Sequence, residues 1–175
     1  MPSTYTLISS NVLASSAASV TFSAIPSTYT DLVLRMSARA SGSGSLAGLA
    51  IKFNGSTTNI YSNTNLFAYS SSGTSDRTTN ASNIPQMDNI TDGGGTANTF
   101  SSNELYIPNY TAAINKPTSL SSVVEKNTAA NFEWLVYTGA GLYRDTTAIS
   151  SIALTTNAGS FVSGSSFYLY GIKNS

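Results

Sequence analysis

Eight carboxylates are spread along the 175-residue chain: Asp31, Asp76, Asp88, Asp92, Asp145, Glu104, Glu125 and Glu133. Two of them held ~5 to 9 Å apart across a cleft would suit glycoside hydrolysis. No spacing favours any pair, so isolated surface or turn-capping carboxylates are the expectation. The run Asp88-Asn89-Ile90-Thr91-Asp92-Gly93 has the outline of a calcium loop. Ile90, however, stands at the third loop position, where an oxygen ligand is needed, and Thr99 where the bidentate Glu belongs, which leaves an Asx-rich turn. Sequons at Asn54, Asn80, Asn89 and Asn109 are no more than so much Asn, Ser and Thr would produce, and say nothing of glycosylation.

With neither His nor Cys in the chain, the usual proton shuttle, the thiolate nucleophile and the commonest metal ligand are missing. Lys52, Lys116, Lys126 and Lys173 sit in no motif that would make a Ser/Lys dyad. A non-enzymatic protein without cofactor or metal is therefore expected. Aromatic side chains remain as the means of recognition. Tyr61, Phe67 and Tyr69 lie in or beside a long irregular stretch, Tyr106 and Tyr110 flank Pro108, and Tyr168 and Tyr170 close the chain. These seven are the interface candidates, because a phenol offers large contact area at low entropic cost. Core or sheet-end tyrosines are the competing reading.

Composition narrows the partners. Charged residues are 9% of the chain and cancel to a net charge of zero, while Ser and Thr make up about 30%. Eight scattered Lys and Arg cannot follow a phosphate backbone, so no nucleic acid is expected. Without repulsion between free copies, such a surface suits an assembly better than dilute solution. The first residues have neither a basic lead nor a continuous apolar run, so no secretion signal is expected, and no run approaches the ~18 apolar residues of a membrane span. At 18.2 kDa, a single domain over 1–175 with about 8,000 Å² of folded surface is expected.

Positioning these residues falls to strands, because apolar residues alternate and no helical period occurs. Tyr5 and Leu7 open a first strand ended by the polar run from Ser9 to Ser19, and Val20 with Phe22 a second, stopped at Pro26. From Asp31 to Ala40, Leu32, Leu34, Met36 and Ala38 share one face against Val33, Arg35, Ser37 and Arg39. Leu49, Ile51 and Phe53 lead to Asn54-Gly55, a hairpin signal from which Thr58 to Tyr61 should pair back. Residues 63–98, with few apolar anchors and two flexible glycine runs, read as a surface excursion. Strands resume at Phe100 to Ile107, Leu120 to Glu125, Phe132 to Tyr137 and Ile149 to Leu154, with Gly139-Ala140-Gly141 as a turn. Nine or ten short strands imply an all-β fold, an antiparallel sandwich. The last segment, Ser166 to Lys173, is apolar on both faces and needs cover on both, from a central sheet position or from another subunit.

Read together, STYTLIS, VTFSAIPSTYTDLVLRMSARA, FNG followed by NIY, ELYIPNY, AISSIAL and SFYLYGIK resemble small all-β virion-associated proteins of tailed bacteriophages, especially those of cyanobacteria and other aquatic hosts. The resemblance implies a jelly-roll-like sandwich located in the virion and assembled in the host cytoplasm. It implies a capsid decoration or cement protein, often a homotrimer, that binds between major capsid subunits. The alternative is a tail or baseplate module recognising host surface polysaccharide. It carries over no catalytic residue.

Overall fold

A computed structural model describes residues 4–69, 72–124 and 135–173. They form twelve strands and no helix: β1 Tyr5–Val12, β2 Ser19–Phe22, β3 Asp31–Ala38, β4 Leu46–Phe53, β5 Tyr61–Tyr69, β6 Ser72–Ala81, β7 Ile84–Thr91, β8 Ser101–Ile107, β9 Lys116–Val124, β10 Leu135–Tyr143, β11 Ile152–Thr156 and β12 Ser166–Ile172. Two antiparallel sheets pack as a sandwich, one in the order β1-β12-β3-β8-β9-β10-β5-β6, the other β2-β11-β4-β7.

The pairs β1–β12, β2–β11, β3–β8 and β4–β7 are nested one inside the next. That nesting is an eight-stranded jelly roll, a long hairpin folded over on itself. Two further hairpins are inserted into it, β5–β6 between β4 and β7, and β9–β10 between β8 and β11. They meet at the β10–β5 pair and widen one sheet from four strands to eight.

The core follows the alternation. Leu32, Leu34, Leu49, Ile51, Leu105, Ile107, Ile152, Leu154, Phe167 and Leu169 are all buried between the sheets. The molecular surface, 8375 Å², matches the expected scale. Gly171 on β12 is required by contact, because a β-carbon there would overlap the Tyr29 ring. Gly171→Ala is expected to cost about 1–3 kcal/mol by overpacking, and Tyr29→Ala combined with it less than the two single changes together, which a double-mutant cycle in urea checks.

Several expectations are corrected. The strand count is twelve among the described residues. β1 runs on to Val12, past a bulge between Leu7 and Ser9. The supposed excursion at 63–98 holds most of β5, all of β6 and all of β7, of which β6 alone is an exposed outer strand. Asn54 and Gly55 do take positive φ, 53° and 66°. β4 already has β11 and β7 on its two edges, so the chain crosses to the other sheet and Thr58 to Tyr61 do not pair back. Tyr61 instead returns through its hydroxyl, which accepts from Phe53 N at 3.0 Å and donates to Phe53 O at 3.2 Å. Gly139-Ala140-Gly141 lies inside β10, paired on both sides. Phe132, Trp134 and the Lys126-Asn127-Thr128 connection lie outside the described residues.

Two buried cations hold the loops. Arg39, assigned by alternation to a polar face, is 8% exposed and donates to the carbonyls of Thr96, Thr99, Gly93 and Gly95 at 2.6, 2.9, 3.2 and 3.1 Å. Lys116 is fully buried, its ammonium donating to Ala112 O at 2.7 Å, Ile114 O at 2.5 Å, Thr146 O at 3.3 Å and Asp145 O at 3.4 Å. Each cation closes a loop by adding donors to several carbonyls at once, of which Thr96 O and Ala112 O also accept from the backbone N–H of Thr99 and Ile114.

Candidate interaction surface

Pairing register sorts the eight-stranded sheet into an inner and an outer face. Three rows of directly opposed residues cross the outer face. One runs Leu7, Tyr170, Val33, Tyr106, Ser119, Ala140, Thr64 and Arg77. The next runs Ser10, Tyr168, Arg35, Glu104, Ser121, Thr138, Leu66 and Ser75, and the third Val12, Ser166, Ser37, Ser102, Val123, Val136, Ala68 and Gly73. Among the described residues, every large apolar side chain exposed to solvent except Ile114 lies on this face: Tyr5, Leu7, Val12, Leu66, Val123 and Val136.

The face has two textures. Over β9, β10 and β5, Val123, Val136 and Leu66 are 55–62% exposed among Ser, Thr and Ala. Over β1, β12, β3 and β8 the surface is aromatic and fixed in place. Arg35 Nε donates to Glu104 Oε2 at 2.9 Å, and its guanidinium carbon lies 5.5 Å from the Tyr5 ring centroid and 5.9 Å from that of Tyr170. The Tyr5 and Tyr170 rings meet edge to face at 6.3 Å. The hydrogen bond to Glu104, together with that carboxylate's charge, raises the Arg35 guanidinium above its ordinary value. The pair is neutral as a unit. Tyr106 donates its hydroxyl to Asp31 Oδ2 at 2.9 Å; burial first, then that bond, pushes the phenol up. Beside this cluster a groove of about 260 Å³ has Ser37, Ser102 and Ser166 along it, with Tyr168, Arg35 and Glu104 as walls.

The seven aromatic candidates separate accordingly. Tyr106, Tyr168 and Tyr170 share the outer face and are half-buried. Tyr61 and Tyr110 are fully buried within the chain, Tyr110 with its hydroxyl donating to Pro26 O, and neither can meet a partner in the folded protein. Phe67 is half-buried on the inner face, packed against the core. Tyr69 pairs through its backbone with Ser72 and Leu135, and its side chain lies outside the described residues. Sequence reading missed Leu66, Val123 and Val136: assigning 63–98 to a loop hid Leu66, and Val123 and Val136 each have an apolar chain neighbour, so residue types do not say which of the two faces out. No group of three or more His, Cys, Asp or Glu among the described residues could hold a metal.

Tyr61, Tyr110, Tyr137 and Tyr143 are all pushed up by burial. A phenol whose folded pKa exceeds its unfolded value of about 10 gives its full stabilisation below that pH and loses it as pH rises further. Burial lowers Lys116 instead, so that group's contribution rises with pH in the window just below its ordinary value. Four phenols outweigh one ammonium. Alkaline titration is thus expected to show these tyrosinates forming, by absorbance at 295 nm, in the same cooperative step that abolishes the circular dichroism; smooth ionisation in a folded chain would contradict their burial.

No family model matches the chain. No curated protein matches it. Among solved structures, alginate lyase vAL-1 from a Chlorella virus aligns over 93% of this chain and 83% of its own, at 9% identity and a TM-score of 0.24. That score lies below a shared fold.

Proposed function

We propose that this is a non-enzymatic structural protein of a phage particle, a decoration or cement protein that acts by covering neighbouring major capsid subunits with the outer face of its eight-stranded sheet. One observation carries the reading: nearly all exposed large apolar side chains of the described residues fall on that one neutral face. Eight strands at ~4.8 Å and seven residues at ~3.3 Å give roughly 900 Å², about the ~800 Å² per partner of a standard stable interface. Ser, Thr and Ala between the apolar groups keep the face flat, and the hydroxyls can hydrogen-bond across a contact. The sequence resemblance to virion proteins supports the setting. Self-association, most simply as a trimer, would cover the remaining strand edges. Purified protein added to expanded capsids of its own phage is expected to bind stoichiometrically and raise their resistance to heat; absence of binding overturns the proposal.

The groove along Ser37, Ser102 and Ser166 favours a second reading. An aromatic wall, three hydroxyls and a paired guanidinium and carboxylate are groups that hydrogen-bond and stack on sugar rings. In that case the protein is a tail or baseplate module for host polysaccharide. Binding of an oligomeric sample to host cells or their glycans, lost on Tyr168→Ala, would select it over the first.

A further inference from the structure

Asn54 is the one asparagine in the chain that is followed by glycine. At such a pair a peptide chain readily modifies itself, because glycine carries no side chain to shield its nitrogen from the neighbouring amide. The Gly55 nitrogen, losing its proton to solvent base, bonds to Asn54 Cγ; a five-membered imide closes as Nδ2 takes up a proton and leaves as ammonia. Water then breaks one of the two imide C–N bonds. Breaking the bond to Cγ gives aspartate, and breaking the backbone bond gives isoaspartate, with an added methylene in the main chain. Either way, asparagine and water have become an acid and ammonia, and no oxidant or cofactor is consumed.

The fold opposes ring closure in two ways. Asn54 and Gly55 have φ of 53° and 66°, and Ser56 N donates to Phe53 O at 3.0 Å, the marks of a type I′ turn. Such a turn sets ψ of its first central residue at about +30°. There the Gly55 nitrogen lies on nearly the opposite side of the Cα–C bond from the Asn54 side chain, whereas the imide requires the two to be eclipsed.

The side chain is also tied down from outside the turn. Its Nδ2 donates to Ala148 O at 2.9 Å, and its Oδ1 accepts from Ser150 N at 2.8 Å and Ser151 N at 3.2 Å, with the Ser150 hydroxyl also at 3.2 Å. The Asn54 backbone N–H donates to Ser151 O at 3.0 Å. Residues 148–151, which lead into β11, are thus tethered to the end of β4 by one residue. Gly55 is exposed, and a β-carbon placed on it would meet nothing within 4 Å, so solvent reaches the site and crowding offers no protection.

We propose that Asn54-Gly55 is a deamidation site held closed by the fold, one that reacts only when the turn and its tether open together. In either product the amide donor to Ala148 O is lost, and a carboxylate oxygen faces that carbonyl in its place. Isoaspartate also lengthens the turn. A copy that has reacted therefore cannot restore the link between β4 and the 148–151 segment, and time spent open leaves a permanent chemical mark on the chain.

The test follows the replacement of the Asn54 NH₂ by OH, by peptide mapping with mass spectrometry. The purified full chain is kept at pH 8 and 37 °C beside a synthetic peptide of residues 49–61 in the same buffer. With three side-chain hydrogen bonds to backbone groups to release, the folded chain is expected to deamidate about 100-fold more slowly than the peptide. In guanidinium chloride the two should react alike. Rates within threefold of each other in the folded chain and the peptide overturn the proposal. So does a faster folded chain, which would mean that the N–H groups on Oδ1 promote the attack. Asn54→Asp, which is one of the two products, is expected to fold by circular dichroism and to melt about 5 °C below the wild type. Unchanged melting of that variant would show that the amide does not hold the segment, and would overturn the tether. If Asn54→Asp does not fold, the rates of the wild-type chain and the peptide decide alone.

Discussion

Replacing Lys116 with alanine is expected to lower the melting temperature by about 10 °C, corresponding to about 3–5 kcal/mol in a chain of this length. Four carbonyls from two loops converge on its ammonium: those of Ala112 and Ile114 before β9, and of Asp145 and Thr146 after β10. Charge-assisted bonds of this kind are each worth about 1.5–3 kcal/mol, and removing the donor leaves buried acceptors bare. Burial opposes the charged form, lowering the pKa, and the nearby Asp145 carboxylate partly restores it. Asp145 is itself held down, chiefly by the Thr147 backbone N–H at 2.7 Å. Lys116→Met, which fills the space without a donor, should destabilise as well, which would separate the lost bonds from the lost volume. Lys52→Ala serves as the control. A fall of under 2 °C for both Lys116 variants would show that water replaces the ammonium.

A second large effect is expected on assembly and not on folding. Val136→Glu and Leu66→Glu each place a charge in the aliphatic part of the outer face, at side chains 62% and 58% exposed. Exposed positions tolerate substitution within about 0.5 kcal/mol, so melting of the isolated protein should hardly move. In an interface centre the same carboxylate is desolvated without a partner, and binding should fall at least 100-fold, about 2.7 kcal/mol or more. Sedimentation with capsids measures the loss. A matched substitution on the other sheet, Thr21→Glu on β2, should bind as the wild type does. If Val136→Glu and Leu66→Glu bind normally, the aliphatic half of the face is not the contact, and Tyr5→Ala with Tyr170→Ala then tests the aromatic half.

Alternation by itself determined which side of each strand is apolar. That is why Leu32, Leu34 and Met36, or Leu49, Ile51 and Phe53, are legible as core from residue types alone, and why β3, β4 and β12 are found where the pattern places them. For β12 the chain supplies cover on one face only. The strand lies between β1 and β3, with Phe167 and Leu169 in the core and Tyr168 and Tyr170 half-buried on the outer face. A glycine inside a strand marks a bulge or a close approach; that the Tyr29 ring packs against Gly171 was decided by the fold.

Which strand lies beside which was decided only by tertiary structure, because a period of two fixes a face and carries no information about the neighbour. Asn54-Gly55 has the local geometry of a hairpin, yet both edges of β4 are occupied from distant sequence and the chain must cross between sheets. Gly139 and Gly141 read as a turn, but β9 and β5 pair along both sides of them and hold them extended. The burial of Lys116 and Arg39, and the gathering of Val123, Val136 and Leu66 on one face, depend on loops and hairpins far apart in the chain coming together. Chain pattern specified the faces; non-local pairing decided which residues lie together on each of them.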